Sequence, residues 1–300
     1  MVSLSIENLT KWYGKIRALH GVSFTVDEGE IFGYLGPNGA GKTTTLRIIL
    51  GLVYSSSGRI QILGNSPSGV NARTDIGYLP GEFHSYADMT GQALLDYFAG
   101  FRQQKPPILR EQLLNALNVQ YSDLTRKVKF LSHGTKQKLG LIIAMQHDPK
   151  LLLLDEPTTG LDPLVQKSFR EIILDRARNG RTVFFSSHVL SEVEAVCSRV
   201  AILRAGELVA VESIENLRSK MVRRLRVRFH GSVPDDLAGV PGITRSQIIG
   251  NEVTLWIRGD VNPILRTIAQ TEVESFIFPE PELEDIFLSH YQNDGGISVD

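Results

Sequence analysis

Two stretches of this chain carry residue types spaced for phosphate chemistry. Gly36-Pro37-Asn38-Gly39-Ala40-Gly41-Lys42-Thr43 matches G-x-x-x-x-G-K-[ST]. Glycines in such a loop let backbone N–H groups close around an anion. Lys42 adds a point charge for β- and γ-phosphates, and the Thr43 hydroxyl is placed to ligate Mg²⁺, with Thr44 following at the same binding turn. The second stretch is Leu151-Leu152-Leu153-Leu154-Asp155-Glu156-Pro157. Asp155 there is suited to hold Mg²⁺, directly or through water. Glu156 is suited to orient and deprotonate an attacking water, which hydrolysis of a phosphoanhydride requires within hydrogen-bond reach.

Both stretches need particular elements beneath them. The apolar run Ile31–Leu35 reads as a buried strand, and Thr44–Leu52, closed by Gly51, reads as a helix. Strand, glycine loop and helix N-terminus in that order aim N–H groups and the helix dipole at one point. The four leucines predict a central strand, with its acids at the carboxyl end where ligands bind in open α/β sheets. Apolar runs at 183–186 and 200–203 alternate with helical patterns at 163–178 and 189–196, as in a parallel sheet covered on both faces. Residues 4–9 and 22–26 alternate like strands, and 58–80 read as short strands and turns. Residues 88–146 switch to helical periodicity, in Ala93–Phe98, Leu109–Leu117 and Ser132–Met145. The fold expected is α/β, a P-loop core with an all-helical insertion.

The sequence changes character after a helix at Ile214–Lys220. Arg223-Arg224-Leu225-Arg226-Val227-Arg228 reads as a strand with one charged, solvated face. A short helix near Asp235–Ala238, a hairpin around Gly250, a strand at 253–257, a helix at 263–270 and a strand at 274–278 complete the order strand, helix, strand, strand, helix, strand. That order predicts a small α+β domain of the ferredoxin-like, split βαβ kind. A last helix is expected at Leu283–Tyr291. The boundaries expected are 1–220, 221–292 and a disordered polar tail at 293–300.

Composition narrows the function classes. Hydrophobic residues make up 42% and charged residues 22% of 300, ordinary for a globular chain with a sizeable core. A formal net charge of -1 gives no reason to expect nucleic acid as a partner. The single cysteine, Cys197, excludes an internal disulfide framework and fits a reducing compartment. No apolar run approaches the ~18 residues a bilayer span needs, and the N-terminus has no secretory pattern. A role at a membrane therefore requires another chain to cross it.

Leu131-Ser132-His133-Gly134-Thr135-Lys136-Gln137 opens the long helix of the insertion, with Ser132 as N-cap. It resembles the Leu-Ser-Gly-Gly-Gln signature of ATP-binding-cassette (ABC) ATPases, with His133 and Thr135 at the first glycine and the glutamine positions. Further motifs stand in family order across residues 2–220. Tyr13 matches the aromatic that stacks on adenine, Asp162 the aspartate of the loop that crosses the dimer interface, and His188 the switch histidine that senses the γ-phosphate. Ile76–Pro80 matches the segment that normally supplies a glutamine to Mg²⁺; here Gly81-Glu82 follows, and Glu82 is the candidate to replace it. The resemblance implies an ABC core with an antiparallel β subdomain. It implies ATP and Mg²⁺ as ligands, with catalytic roles for Lys42, Glu156 and His188. It also implies nucleotide contacts from Ser132 and Gly134 of a second subunit. It implies ATP-driven pairing, as a homodimer or with a second ABC ATPase, on the cytoplasmic face of the membrane beside a separately encoded permease. Phe83 and Tyr86 are expected in the groove that receives the permease. The ending Phe278–Leu288 resembles the extension of prokaryotic drug- and antibiotic-exporter ATPases. A cassette that remodels a cytoplasmic partner without transport, and a nucleotide-binding module that does not hydrolyse, are the alternatives.

Overall fold

The computed structural model describes residues 1–67, 73–83, 86–101, 107–220, 222–234 and 237–279. The helix expected at Leu283–Tyr291 and the tail at 293–300 lie outside the described residues. The chain forms two units. The first holds Met1–His188 and Glu192–Val211, and the second holds Val189–Ser191 with the described residues from Glu212 onward. The division falls at 211/212, with the helix Ile214–Lys220 in the second unit.

The first unit opens with two long strands, β1 (Val2–Tyr13) and β2 (Ile16–Asp27), joined by a tight turn. The sequence pattern suggested only 4–9 and 22–26. The pairing breaks register between Ile6 and Leu9, where Glu7 and Asn8 are both exposed and Asn8 takes φ 49°. A bulge of this kind flips the in–out alternation, so the strand continues where the pattern stops. β4 (Ser57–Ile62) pairs with the other side of β1, giving an antiparallel sheet of order β2-β1-β4.

The main sheet runs β5-β6-β7-β3-β8-β9. Its strands are β3 (Ile31–Leu35), β5 (Ile76–Leu79), β6 (Leu151–Asp155), β7 (Thr182–Ser187), β8 (Arg199–Arg204) and β9 (Glu207–Ser213). Neighbours from β5 through β8 are parallel. Every residue of β3, β6 and β7 is buried, which accounts for their unbroken apolar runs. Phe24 of β2 joins the two sheets through the core, stacking on Phe32 and Phe184 at ring-centroid distances of 5.2 and 5.9 Å. Helix α1 (Lys42–Ile49) follows β3. The insertion supplies α2 (Gly91–Gly100), α3 (Arg110–Ala116), α4 (Tyr121–Thr125), a 3₁₀ turn at Val128–Phe130 and α5 (His133–Met145). Then come α6 (Pro163–Arg178), as the pattern predicted, and the short α7 (Leu190–Glu194). Tyr86, Tyr97 and Phe101 form an exposed aromatic cluster on the insertion, with Tyr86 edge-on to Tyr97 at 5.0 Å. Phe83 lies over α5, its Cγ 3.1 Å from where a Cβ on Gly140 would stand.

The second unit has α8 (Ile214–Lys220), then β10 (Val222–Phe229), β11 (Ile243–Ile249), β12 (Glu252–Arg258), α9 (Asn262–Ile268) and β13 (Val273–Ile277). The sheet order is β11-β12-β10-β13, with neighbours antiparallel. Of the short helix expected near Asp235–Ala238, residues 235 and 236 lie outside the described residues, and a 3₁₀ turn spans Leu237–Gly239. Leu225, Val227 and Phe229 of β10 are buried with α9, while Arg224, Arg226 and Arg228 face outward, so the arginine run is the charged face of a strand. Glu252 pairs with Arg226 and Arg228 at 3.4 and 2.7 Å. Among the described residues no helix is long and apolar enough to cross a membrane.

Candidate functional site

Register brings the chemistry together. Leu35 of β3 pairs with Ser187 of β7, and Asp155 of β6 pairs with Ser186. Three adjacent parallel strands therefore end level, and their loops open a cleft of about 690 Å³ at the carboxyl edge of the sheet. Pro37, Asn38, Gly39, Gly41, Lys42, Thr43 and Thr44 line it from β3, Asp155 and Glu156 from β6, and His188 from β7. Glu82 lines it from the end of β5.

The glycine loop has the shape its composition predicts. Gly41 is the N-cap of α1 at φ 108°, and a Cβ there would stand 2.9 Å from both Ala18 O and Leu19 Cδ2. Only glycine fits, and its backbone turns the first N–H groups of α1 toward the cleft. Gly36 and Ala40 stand beneath the lining: Gly36 N–H donates to Ser187 O at 3.2 Å, and the Ala40 side chain is buried in the core. Lys42, 6% exposed, donates to Gly36 O at 2.6 Å and Pro37 O at 3.2 Å, and lies 3.2 Å from Glu156 Oε1.

Asp155 is held on both oxygens. Thr43 Oγ1 donates to Oδ2 at 2.8 Å, and Ser186 Oγ donates to Oδ1 at 2.5 Å. A hydroxyl and a carboxylate side by side are hard oxygen donors of the kind Mg²⁺ takes, with phosphate and water completing its shell. The missing glutamine has a geometric counterpart. A Cβ on Gly81 would stand 3.3 Å from Asp155 Oδ2, so position 81 aims at this carboxylate while Glu82 lies exposed beside it. Glu156 takes φ 52°, unusual for a non-glycine residue. Its Oε2 lies 2.5 Å from His188 Nδ1, so Lys42, Glu156 and His188 form one chain of contacts. Tyr78 lines the cleft too; burial, reinforced by the charge of Asp155, pushes its hydroxyl up to about 12 and keeps it neutral.

Tyr13, Ser132, Gly134 and Asp162 are not part of this lining. Tyr13 is half-exposed at the end of β1, with Lys11 Nζ 4.8 Å from its ring centre. Ser132 caps α5, accepting from Thr135 N at 3.1 Å, and Asp162 caps α6, accepting from Val165 N at 3.0 Å. These two ends pack together: a Cβ on Gly134 would stand 2.6 Å from Gly160 O, and the His133 ring lies against Gly160. Gln137, buried in α5, donates to Pro157 O at 3.1 Å and ties the insertion to the loop after Glu156. Arg47, Tyr78 and Thr159 line the cleft without having been singled out from sequence. Arg47 follows Lys42 by five positions on α1, and Tyr78 lies within the Ile76–Pro80 segment and Thr159 in the loop leading to Asp162, though neither was named as a site residue.

Comparison with known proteins gives one consistent result. A family model described as ABC transporter matches residues 19–159. An ABC transporter ATP-binding protein of Nostoc sp. is 41% identical over 207 residues, covering 68% of this chain and 62% of its own length. The Nod factor export ATP-binding protein I of Rhizobium meliloti is 33% identical over 296 residues, covering 96% of this chain and 87% of its own. Among solved structures, the ATP binding subunit of an ABC transporter superposes with a TM-score of 0.67 at 29% identity, covering 72% of this chain and 91% of that one.

Proposed function

This chain belongs to the ABC transporter family of ATP-binding, ATP-hydrolysing subunits, and on that premise we propose that it powers export through a separately encoded membrane permease. The observation that carries this reading is the convergence of Lys42, Thr43, Asp155, Glu156 and His188 at the level ends of β3, β6 and β7.

In the proposed mechanism the glycine loop and α1 N-terminus bind the phosphate chain of ATP, and Lys42 moves from the loop carbonyls onto its β- and γ-oxygens. Thr43 and Asp155 would hold Mg²⁺, with Glu82 lining the same cleft, and the ion would neutralise charge on the phosphates. Glu156 takes the proton of the attacking water, released from Lys42 once the phosphates claim that ammonium. His188, in contact with Glu156, senses the γ-phosphate. Tyr13 stacks on the adenine after the Lys11 side chain moves off its ring.

Ser132, Gly134 and Asp162 act, in this reading, on the nucleotide held by a second subunit, either another copy or a related ATPase. Their position outside the cleft of their own chain supports that assignment. ATP joins the pair and hydrolysis loosens it, a two-state element that a nucleotide biases. The first unit carries this chemistry and the second serves as an accessory domain. The exporter assignment draws on the relative named for Nod factor export. The exposed aromatic cluster with Tyr86, and Phe83 over α5, form the docking groove for the permease on the cytoplasmic face.

Co-purification of the tagged chain from detergent-solubilised membranes tests the assembly. A polytopic permease in stoichiometric amount is the expected result, with ATPase activity that Phe83→Ala and Tyr86→Ala uncouple from it. Recovery of a soluble partner alone overturns the transport reading and leaves the ATPase chemistry standing.

A further inference from the structure

Glu192 takes no place in the mechanism above, yet it holds both loops that the mechanism depends on. It lies in α7, four positions after His188. Its Oε1 accepts from Thr158 Oγ1 at 2.5 Å and its Oε2 from Ser187 Oγ at 2.6 Å. Both donors are buried, Thr158 at 5% exposure and Ser187 at 0%. Thr158 is two residues beyond Glu156 and opens the loop that ends in Asp162; Ser187 immediately precedes His188. One carboxylate therefore ties the loop leaving β6 to the loop leaving β7, with two charge-assisted hydrogen bonds, the stronger class of such bonds.

The tie is placed where position matters most. Glu156 holds a left-handed backbone conformation, which persists only where its surroundings enforce it. Its side chain meets His188 at 2.5 Å across the same two loops. Besides that contact, the loops are joined near the sheet by Glu156 N–H donating to Ser186 O at 3.1 Å. Glu192 adds the link on the far side of the reacting groups, so that strand pairing, the Glu156–His188 contact and the Glu192 clamp close a ring. Cutting the clamp leaves the bonds from Lys42 to Gly36 O and Pro37 O in place but frees Glu156 and His188 to shift together.

We infer that Glu192 is a positioning residue that clamps the Glu156 loop to the His188 loop and so sets the geometry of hydrolysis and the placement of Asp162. The inference rests on the reading that Glu156 and His188 act in hydrolysis. Misplacement of a reacting group by about 1 Å can cost roughly 100-fold in rate.

The test uses the full-length protein, with phosphate release measured across ATP concentration and backbone hydrogen exchange measured on the nucleotide-free protein. For Glu192→Ala the expected result is a kcat lower by about 10-fold or more, with KM for ATP within about twofold of wild type. Exchange should quicken in both 157–162 and 187–190. Glu192→Gln keeps one carbonyl acceptor and an amide that a hydroxyl can meet, so it should recover most of the lost rate. Should Glu192→Ala fail to fold, Thr158→Val and Ser187→Ala each remove one arm and should each lower kcat with KM held. An unchanged kcat, or KM rising in step with a falling kcat, overturns the clamp. If wild type itself releases no phosphate, the hydrolysis reading fails separately and exchange decides the clamp: faster in both loops upholds it, unchanged in either rejects it.

Discussion

The cleft and the two capped helix ends beyond it are built on opposite plans. In the cleft, Lys42, Thr43, Asp155, Glu156 and His188 contact one another and leave few polar atoms idle. At the ends of α5 and α6, Ser132 and Asp162 spend their side chains on their own helices. The cleft is a product of sheet topology within one chain. The capped ends pack against each other through Gly134, His133 and Gly160, and on the proposed function their helix dipoles would meet a phosphate held by the second subunit. On the proposed function, one chain supplies a binding half in its cleft and a contacting half at these ends, so occupancy and turnover should be separable by mutation.

The sharpest break in that comparison comes from Lys42→Ala. It should abolish hydrolysis by about 100-fold or more and weaken nucleotide binding as well, because the ammonium serves ground and transition states alike; equilibrium binding of a fluorescent ATP analogue and phosphate release check both. Next, Glu156→Gln should lower kcat by roughly 100-fold or more while ATP still binds. Light scattering should then show an ATP-dependent dimer, and a variant that stays monomeric in saturating Mg-ATP removes ATP-driven pairing from the free chain. For the other half, Ser132→Asp keeps a good helix cap but sets a negative charge before the phosphate. Binding to the subunit should be unchanged while hydrolysis falls about 10-fold or more. Mixing Ser132→Asp with Lys42→Ala should restore part of the rate, since one mixed site then has an intact half from each chain.

A smaller effect marks the scaffold. Partial burial opposes ionisation of Asp148, but hydrogen bonds and charge from Arg181, with the charge of Arg176, overcome it and hold the carboxyl below its ordinary 3.8. A depressed carboxylate contributes stability that is present above its unfolded pKa and lost as pH falls through the folded one. Asp148 sits at φ 50°, which asparagine also tolerates, so Asp148→Asn isolates the charge. Thermal unfolding at pH 7 should drop by a few degrees, and the gap to wild type should close below about pH 4.

Local signals were legible where one element carried them alone. The glycine loop, the four leucines of β6 and the start of α6 at Pro163 each follow from residues within a single stretch. The length of β1 did not, because the bulge at Glu7-Asn8 breaks its pattern and only pairing with β2 and β4 carries the strand across. Of β11 only the end at the Gly250 hairpin was legible, for a related reason. Its side chains from Thr244 to Ile249 are exposed, so no burial pattern marks it beyond its partner β12. Within the site, Glu192 gave no sign because its contacts to Thr158 and Ser187 join loops far apart in sequence. His133 looked like a defect in a motif; against Gly160 it is a packed side chain that the missing Cβ there makes room for.

The level strand ends also fix what kind of change this site can absorb in its history. Side chains alternate along β7, with Ser186 Oγ on Asp155 and Ser187 Oγ on Glu192. A single-residue deletion between Thr182 and Ser187 would slide the strand by one place and send each hydroxyl to the opposite face. It would draw His188 back by about 3.3 Å, beyond contact with Glu156. Substitutions along these strands can be tried one at a time and kept or lost on their merits. Insertions and deletions there fail together, so variation in length should collect instead in the connections on the far edge of the sheet.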